Sequence, residues 1–449
     1  MNRSQQLGEE KIGKLLRKFS IPAIIGMLVN GLYNIVDRIF VGQGVGSLAL
    51  SGTAISFPFT LAIMAFGMLI GIGATSVISI RLGQQKNEEA EQIVGNAFVL
   101  LLAISLTITL LGYVFMDSLL FLFGASGEVF PYAKEYLTVL LAGAVFQTIG
   151  FGMNNFIRAE GNPKIAMYSM ILGAVLNTIL NPIFIFGLHL GVRGSALATV
   201  ISQFVTAVWV LSYFLGNRAL LKIRLRNLKL SWVLVKPILA IGVSPFSMQL
   251  VGSVVTILLN KTLVSYGGDL SVAAMGVINS ITMLIFMPVF GIGQGAQPIL
   301  GYNYGARRYD RVKHTLKLSM IASTGVMVLG FLLVELFPVA IMTLFSKDTE
   351  LISIGSNGLR IFLVMLPIIG FQVMAVNYFQ ATGKPRKSLF LSMSRQLIFL
   401  VPMILILPKF WGLTGVWLAG PVADLASSGL TVLWLRRDLR QLDLPLKNT

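Results

Sequence analysis

Twelve apolar stretches dominate this 449-residue chain, each long enough to cross a hydrocarbon layer about 30 Å thick. They fall near 19–41, 51–79, 92–115, 136–157, 165–187 and 194–216. After a basic gap they resume near 237–264, 273–300, 318–338, 359–380, 388–408 and 412–435. In lipid every backbone N–H and C=O needs a partner within the protein, so stretches of this length form helices. None alternates polar and apolar residues as a membrane barrel would. Only 12% of the residues are charged, against about 25% in soluble domains, so little surface is expected to face water. The expected fold class is an all-α membrane protein with twelve transmembrane helices.

The loops set an orientation. Alternating from the N-terminal tail, one side collects 27 of the 35 Lys and Arg, among them Lys11, Lys14, Arg17, Lys18 and the run Arg218 to Lys236. The other side holds Lys134, Arg193, Lys347, Arg360 and Lys409, and Arg38, Lys261 and Arg395 fall within spans. The positive-inside rule then makes both termini cytoplasmic. A net charge of +17 spread over short gaps between apolar runs suits a membrane surface rather than nucleic acid. The basic, polar start, followed by an apolar stretch longer than twenty residues, does not read as a cleavable signal peptide.

The two halves repeat each other. Asn155-Phe-Ile-Arg-Ala-Glu-Gly161-Asn-Pro163-Lys returns 222 positions later as Asn377-Tyr-Phe-Gln-Ala-Thr-Gly383-Lys-Pro385-Arg. Gly71-Ile-Gly73-Ala74 with Gly83 returns as Gly293-Gln-Gly295-Ala296 with Gly305, and Gly191-Val-Arg-Gly194 as Gly412-Leu-Thr-Gly415. Pro22 and Asp37 align with Pro245 and Asn260. Six spans per copy bring the second copy in with the same orientation, so two parallel, pseudo-symmetric six-helix bundles are expected, as in secondary transporters that open a central cleft alternately to each side. The expected organisation is a first lobe over 1–216, a basic cytoplasmic linker over 217–236, read as a solvated loop near lipid headgroups, and a second lobe over 237–449. Such a fold needs no partner and is expected to be monomeric.

Chemistry-bearing motifs are few. Cysteine is absent, and the two histidines, His189 and His314, are too far apart to suggest a metal centre. There is no Walker A pattern, zinc-helix pattern or hydrolase triad signature. Gly71-x-Gly73 lies inside a span, without the strand–turn–helix context of a nucleotide site. An enzyme and an ATP-driven pump are therefore disfavoured, no cofactor is expected, and an ion gradient remains as the energy source.

Three carboxylates fall within spans: Asp37, Glu335 and Asp424. A charge at that depth is costly and faces a cavity, a partner or a proton path. Glu335 is close to the outer end of its span, where interfacial water can solvate it. Asp37 lies about 22 Å along the first helix from Pro22, at 1.5 Å per residue, on a polar stripe with Asn30, Tyr33 and Asn34. A proton can come and go at such a group near neutral pH. Its neighbour Arg38 offers a structural alternative, an ion pair, although adjacent helical residues point about 100° apart and Arg38 and Lys261 both suit snorkelling to headgroups. Arg395 and Asp424 lie at similar depths on the last two spans and can pair to fix helix packing or take part in ion or substrate handling. Asn177 and Asn181 share a helix face, and Pro182 frees a carbonyl one turn back. Met64, Met68, Met275, Met283 and Met287 line the second span of each half, as core, lipid contact or an adaptable substrate cavity.

Taken together, Pro22 to Asp37, the Gly-rich second spans and the repeated Asn-aromatic-x-x-Ala-x-Gly-x-Pro resemble the multidrug and toxic compound extrusion (MATE) family, in its bacterial MepA-like and DinF-like branch, over about residues 12–437. The resemblance implies a MATE-like fold in a bacterial inner membrane and export of small cationic amphipathic drugs or dyes in exchange for H⁺ or Na⁺, a property tied to antibiotic resistance. It implies a coupling site of Asp37 with Tyr136, Asn154, Asn177 and Thr199 around it, and a bend of the first span at Pro22. One departure is Asn181, where many relatives carry Asp. With Asp37 as the only titratable group, H⁺ is the favoured ion. The alternative reading is a flippase for lipid-linked oligosaccharide or lipid II; Arg395 as the only deep basic residue argues against its anionic pyrophosphate substrate.

Overall fold

A backbone that satisfies its own hydrogen bonds suits apolar segments, and the computed structural model, which describes residues 4–125 and 127–442, is helical almost throughout, with no strand among those residues. The first bundle contains the spans Ile12–Gly44, Ser47–Gly83 and Asn87–Val114, then a fourth span of Phe130–Ala142 and Ala144–Ala159 bent by 52°. It closes with Pro163–Pro182, continued by a π-helical turn Ile183–Gly187, and Gly191–Leu215. In the second bundle the 74-residue helix Trp232–Gly305 holds two spans, divided at Gly268 where the backbone leaves helical geometry (φ 65°). Then follow Tyr309–Leu336, a tenth span of Thr349–Leu363 and Leu366–Ala381 bent by 49°, an eleventh over Pro385–Ile406 and a twelfth within Pro408–Leu442. The expected tail residues 443–449 lie outside those described.

The duplication is written into the backbone. Left-handed residues recur in pairs: Gly46 with Gly268, Gln85 with Arg307 and Gly161 with Gly383, each 222 apart, and Gly191 with Gly412. Each ends one helix before the next begins, a conformation most side chains resist. Two short surface helices missing from the sequence reading, Met116–Leu122 and Pro338–Thr343, also start 222 apart. The eleventh span widens to a π-helix over Ser394–Leu400, much as the fifth does at Ile183–Gly187. Such widened turns cluster at functional sites.

The bundles meet on the side that carries the basic loops. One buried cluster there draws Phe19, Ile78 and Leu82 from the first half together with Ile238, Ile299 and Leu300 from the second. Gln297 Nε2 donates to Ser76 Oγ at 2.9 Å across the seam. A Cβ on Gly83 would strike the carbonyl of Tyr302, and one on Gly305 the carbonyl of Ile80, so the two glycines let the backbones touch. The N-terminal turn Gln6–Glu9 straps the seam: Gln6 donates to Gly161 O at 2.9 Å, while Asn303 donates to Leu7 O at 2.9 Å and Arg311 to Glu10 O at 2.7 Å. Towards the opposite side Leu32, Ile35 and Ile39 of the first span and Val254 and Ile257 of the seventh are exposed.

Segment 217–236 leaves Arg218, Arg224, Arg226, Lys229 and Lys236 exposed, while its backbone is tied to the first bundle: Glu160 accepts from Leu220 N and Leu221 N, Glu91 from Lys222 N, and Asn96 Oδ1 from Ser231 N. Arg158, just past the fourth apolar stretch, is only 4% exposed. Its guanidinium donates to Asn155 Oδ1 at 2.9 Å and Asn154 Oδ1 at 2.5 Å.

Candidate functional site

Asp37 sits in the half of the first span away from the basic loops, and the fifth and sixth spans bring donors to it. Asn181 Nδ2 donates to its Oδ1 at 2.7 Å, and Ser195 Oγ donates to the same oxygen at 2.9 Å. The chain of contacts continues from Asn181 to Asn177 Oδ1 at 2.9 Å and from Asn177 Nδ2 to Thr199 Oγ1 at 3.0 Å. Spacing explains the convergence: Asn177 and Asn181 are one turn apart, as are Ser195 and Thr199, so two polar helix faces meet one carboxylate. Asn177, Asn181 and Ser195 are buried, and Asn181 Oδ1 has no partner. The arrangement offers a carboxylate, an uncommitted amide oxygen and hydroxyls. Those groups can hold a proton, or a hard cation that prefers oxygen ligands.

Several sequence-predicted residues lie at or beside this network. Tyr136 and Tyr33 are within Coulombic reach of Asp37. Asn34 Nδ2 folds back onto Asn30 O at 2.6 Å, and both asparagines are exposed. Arg38 does not pair with its neighbour; it is exposed, and its guanidinium stacks 5.4 Å from the Phe57 ring. Asn154 is committed elsewhere, donating to Ala166 O at 2.8 Å and Ser169 Oγ at 2.5 Å while accepting from Arg158. The first span stays helical through Pro22. Ser195 is the contributor that the sequence reading missed; its place four residues before Thr199 was the available signal.

In the second bundle Arg395 Nε donates to Asp424 Oδ1 at 2.5 Å, from within the π-helical segment. Asp424 is 2% exposed, and one turn on Ser427 accepts from Gln372 Nε2 at 2.8 Å. The methionines do not share one environment. Met275 and Met287 are buried, the first in the core of the second bundle and the second against Gly31, and Met283 is 59% exposed. Met64 and Met68 are half-buried. On the side opposite the basic loops Glu335 lies 3.7 Å from Arg360, a long contact between partly exposed groups.

Two parallel six-helix bundles packed along one seam, with a polar network around a single carboxylate inside the first, define a polytopic membrane transporter, not an enzyme. The chain belongs to the MatE family, whose model matches twice, over residues 22–183 and 245–406. It is similar to the multidrug export protein MepA of Staphylococcus haemolyticus, 28% identical over 91% of this chain and 90% of the relative. Among solved structures it is similar to a MOP superfamily transporter from Pyrococcus furiosus, with 31% identity, 98% of both chains covered and a TM-score of 0.93. The MATE multidrug transporter DinF-BH, solved as a complex, is 41% identical over 98% of both chains, with a TM-score of 0.91.

Proposed function

We propose that this protein exports small cationic amphipathic compounds across a bacterial inner membrane by alternating access, driven by H⁺ antiport at Asp37. The observation that carries the reading is the meeting of Asn181 and Ser195 on Asp37 Oδ1. A proton on Asp37 would remove the negative charge that strengthens both contacts, and even with the proton on Oδ2, where Oδ1 can still accept, the two hydrogen bonds would weaken to neutral ones. Occupancy of the carboxylate is thereby tied to how the fifth and sixth spans sit against the first. Relatives named as multidrug exporters support the substrate class. A lone acid favours H⁺ over Na⁺, because a second carboxylate would strengthen metal-ion attraction. With the basic side cytoplasmic, the closed seam is the cytoplasmic gate and the state is outward-facing.

The test is reconstitution in liposomes with an imposed pH gradient and no sodium, following ethidium. Wild type is expected to accumulate dye against its gradient, and Asp37→Asn to match empty liposomes. Equal activity of the two proteins, or a sodium requirement in wild type, would overturn the coupling assignment. Dye movement under neither gradient would favour a flippase.

A further inference from the structure

The twelfth span ends in a basic stripe that lies apart from the polar network around Asp37. Leu433, Arg436, Arg437 and Arg440 follow i, i+3, i+4, i+7 spacing and form one stripe on the final turns of Pro408–Leu442. All four are exposed. Beside the stripe runs a shallow groove of about 450 Å³ lined by Lys387, Leu433, Trp434, Arg437 and Gln441, open towards the helix face that carries Arg436 and Arg440. Its floor is apolar. Trp434 stacks on Phe390 of the eleventh span with ring centres 5.0 Å apart, and Leu433 is 67% exposed beside them.

Among the described residues the arginine charge on the rim has no acidic partner. The buried Asp438 one turn away is committed inward, accepting from Tyr378 OH at 2.7 Å and pairing with Lys384 and Lys387. It therefore anchors Lys387 at the groove edge and does not pair with the arginines. Among the described residues no carboxylate pairs with Arg436, Arg437 or Arg440. The first half carries the stripe only in part: at the matching positions Phe214 and Leu215 replace Arg436 and Arg437, and only Arg440 has a basic counterpart, Arg218. The bundle fold does not require this patch.

We infer that the groove between the eleventh and twelfth spans is a binding site for an anionic phospholipid. Guanidinium forks match phosphate oxygens, and basic pockets between spans at the headgroup level suit acidic lipids. The apolar floor of Leu433, Trp434 and Phe390 runs from the arginines towards the membrane interior, where an acyl chain would lie. A free phosphate would leave that wall unused, which favours the lipid. The inference rests on membrane embedding and is independent of the export reading.

Thermal unfolding of the full chain in neutral detergent tests it, with phosphatidylglycerol, phosphatidylcholine or inorganic phosphate added. Phosphatidylglycerol is expected to raise the wild-type Tm by several degrees more than phosphatidylcholine. Arg436→Gln/Arg437→Gln/Arg440→Gln is expected to lose most of that rise. Arg226→Gln/Lys229→Gln/Lys236→Gln, which removes as much charge from the linker region, should keep it. An undiminished response in the arginine variant overturns the site, and an equal rise with inorganic phosphate alone reassigns it to a free anion. Should the triple variant fail to fold, wild type and Trp434→Phe can be compared for quenching by brominated-chain lipids. Extra quenching by brominated phosphatidylglycerol over phosphatidylcholine that disappears in Trp434→Phe supports the site; equal quenching by the two lipids overturns it.

Discussion

Asn181 Nδ2 lies 2.7 Å from Asp37 Oδ1, so the fifth span contributes an amide donor to a carboxylate of the first. An aspartate there would crowd two acids at hydrogen-bond distance, and like charges that close cannot both ionise. Asn181→Asp is therefore expected to bind a shared proton or attract a metal cation. We expect this variant to gain sodium-stimulated dye export in liposomes while wild type does not respond. An Asn181→Asp protein that still ignores sodium would show that charge count at this site does not choose the ion.

Ser195 offers a milder test of the same network. Its hydroxyl donates to Asp37 at 2.9 Å, and a hydrogen bond to a charged group is worth about 1.5–3 kcal/mol. Ser195→Ala is expected to keep dye binding and shift the pH dependence of export, because one of two donors to the carboxylate is gone. An unchanged pH profile with slower export throughout would assign Ser195 to packing alone.

The basic-side seam depends on residues without side chains. A Cβ on Gly83 or Gly305 would strike backbone carbonyls of the opposite bundle, which cannot yield as a flexible side chain does. Gly305→Val is therefore expected to shift the population towards the state open on that side. The chain has no cysteine, so Ser76→Cys can serve as a reporter without background. It should resist a membrane-impermeant maleimide in the otherwise native protein and react in the Gly305→Val background. Equal protection in both would mean that the seam accommodates the larger residue.

Much of this architecture was legible beforehand, for physical reasons. Lipid forces apolar runs into helices, and the 222-residue repeat appears both as Gly161 and Gly383 in the sequence and as paired left-handed backbone in the structure. Asp37 stood out because carboxylates are rare within spans. Its partners were only partly readable: Asn177, Asn181 and Thr199 join the network, whereas Asn154 turns to Arg158 and Ser169. Serine is too common in membrane helices to mark a site, so Ser195 passed unnoticed. The clamped linker and the N-terminal strap depend on backbone N–H and C=O partners such as Leu220 N and Leu7 O. Residue type does not announce these.

Arg395 and Asp424 form an ion pair inside the second bundle, with Asp424 2% exposed. Removing one partner strands the other charge at a cost of about 3–5 kcal/mol, whereas replacing both with apolar residues is often neutral. Asp424→Asn is expected to lower the Tm markedly, and Arg395→Met/Asp424→Leu to restore most of it. Dye export by the double variant then decides the role: full activity marks a packing pair, and loss of export in a stable protein marks participation in transport.

At the N-terminal strap, Glu10 takes a hydrogen bond from Lys14 and pairs with Lys18 beside it. The Lys14 contact, opposed by partial burial and helped by the charge of Lys18, holds its carboxyl below the ordinary value of 4.5. A depressed folded pKa stabilises the fold above the unfolded value, and that contribution is lost as pH falls through the folded one. The Glu10 contribution should therefore be complete at pH 7 and disappear on acidification below the ordinary carboxylate range. Its size is small, about 0.5 kcal/mol or less, because both lysines are exposed to solvent screening. Glu10→Gln should thus unfold slightly below wild type at pH 7 and together with it in acid. A Tm difference that persists unchanged at low pH would mean that Glu10 acts through packing of the strap and not through its charge.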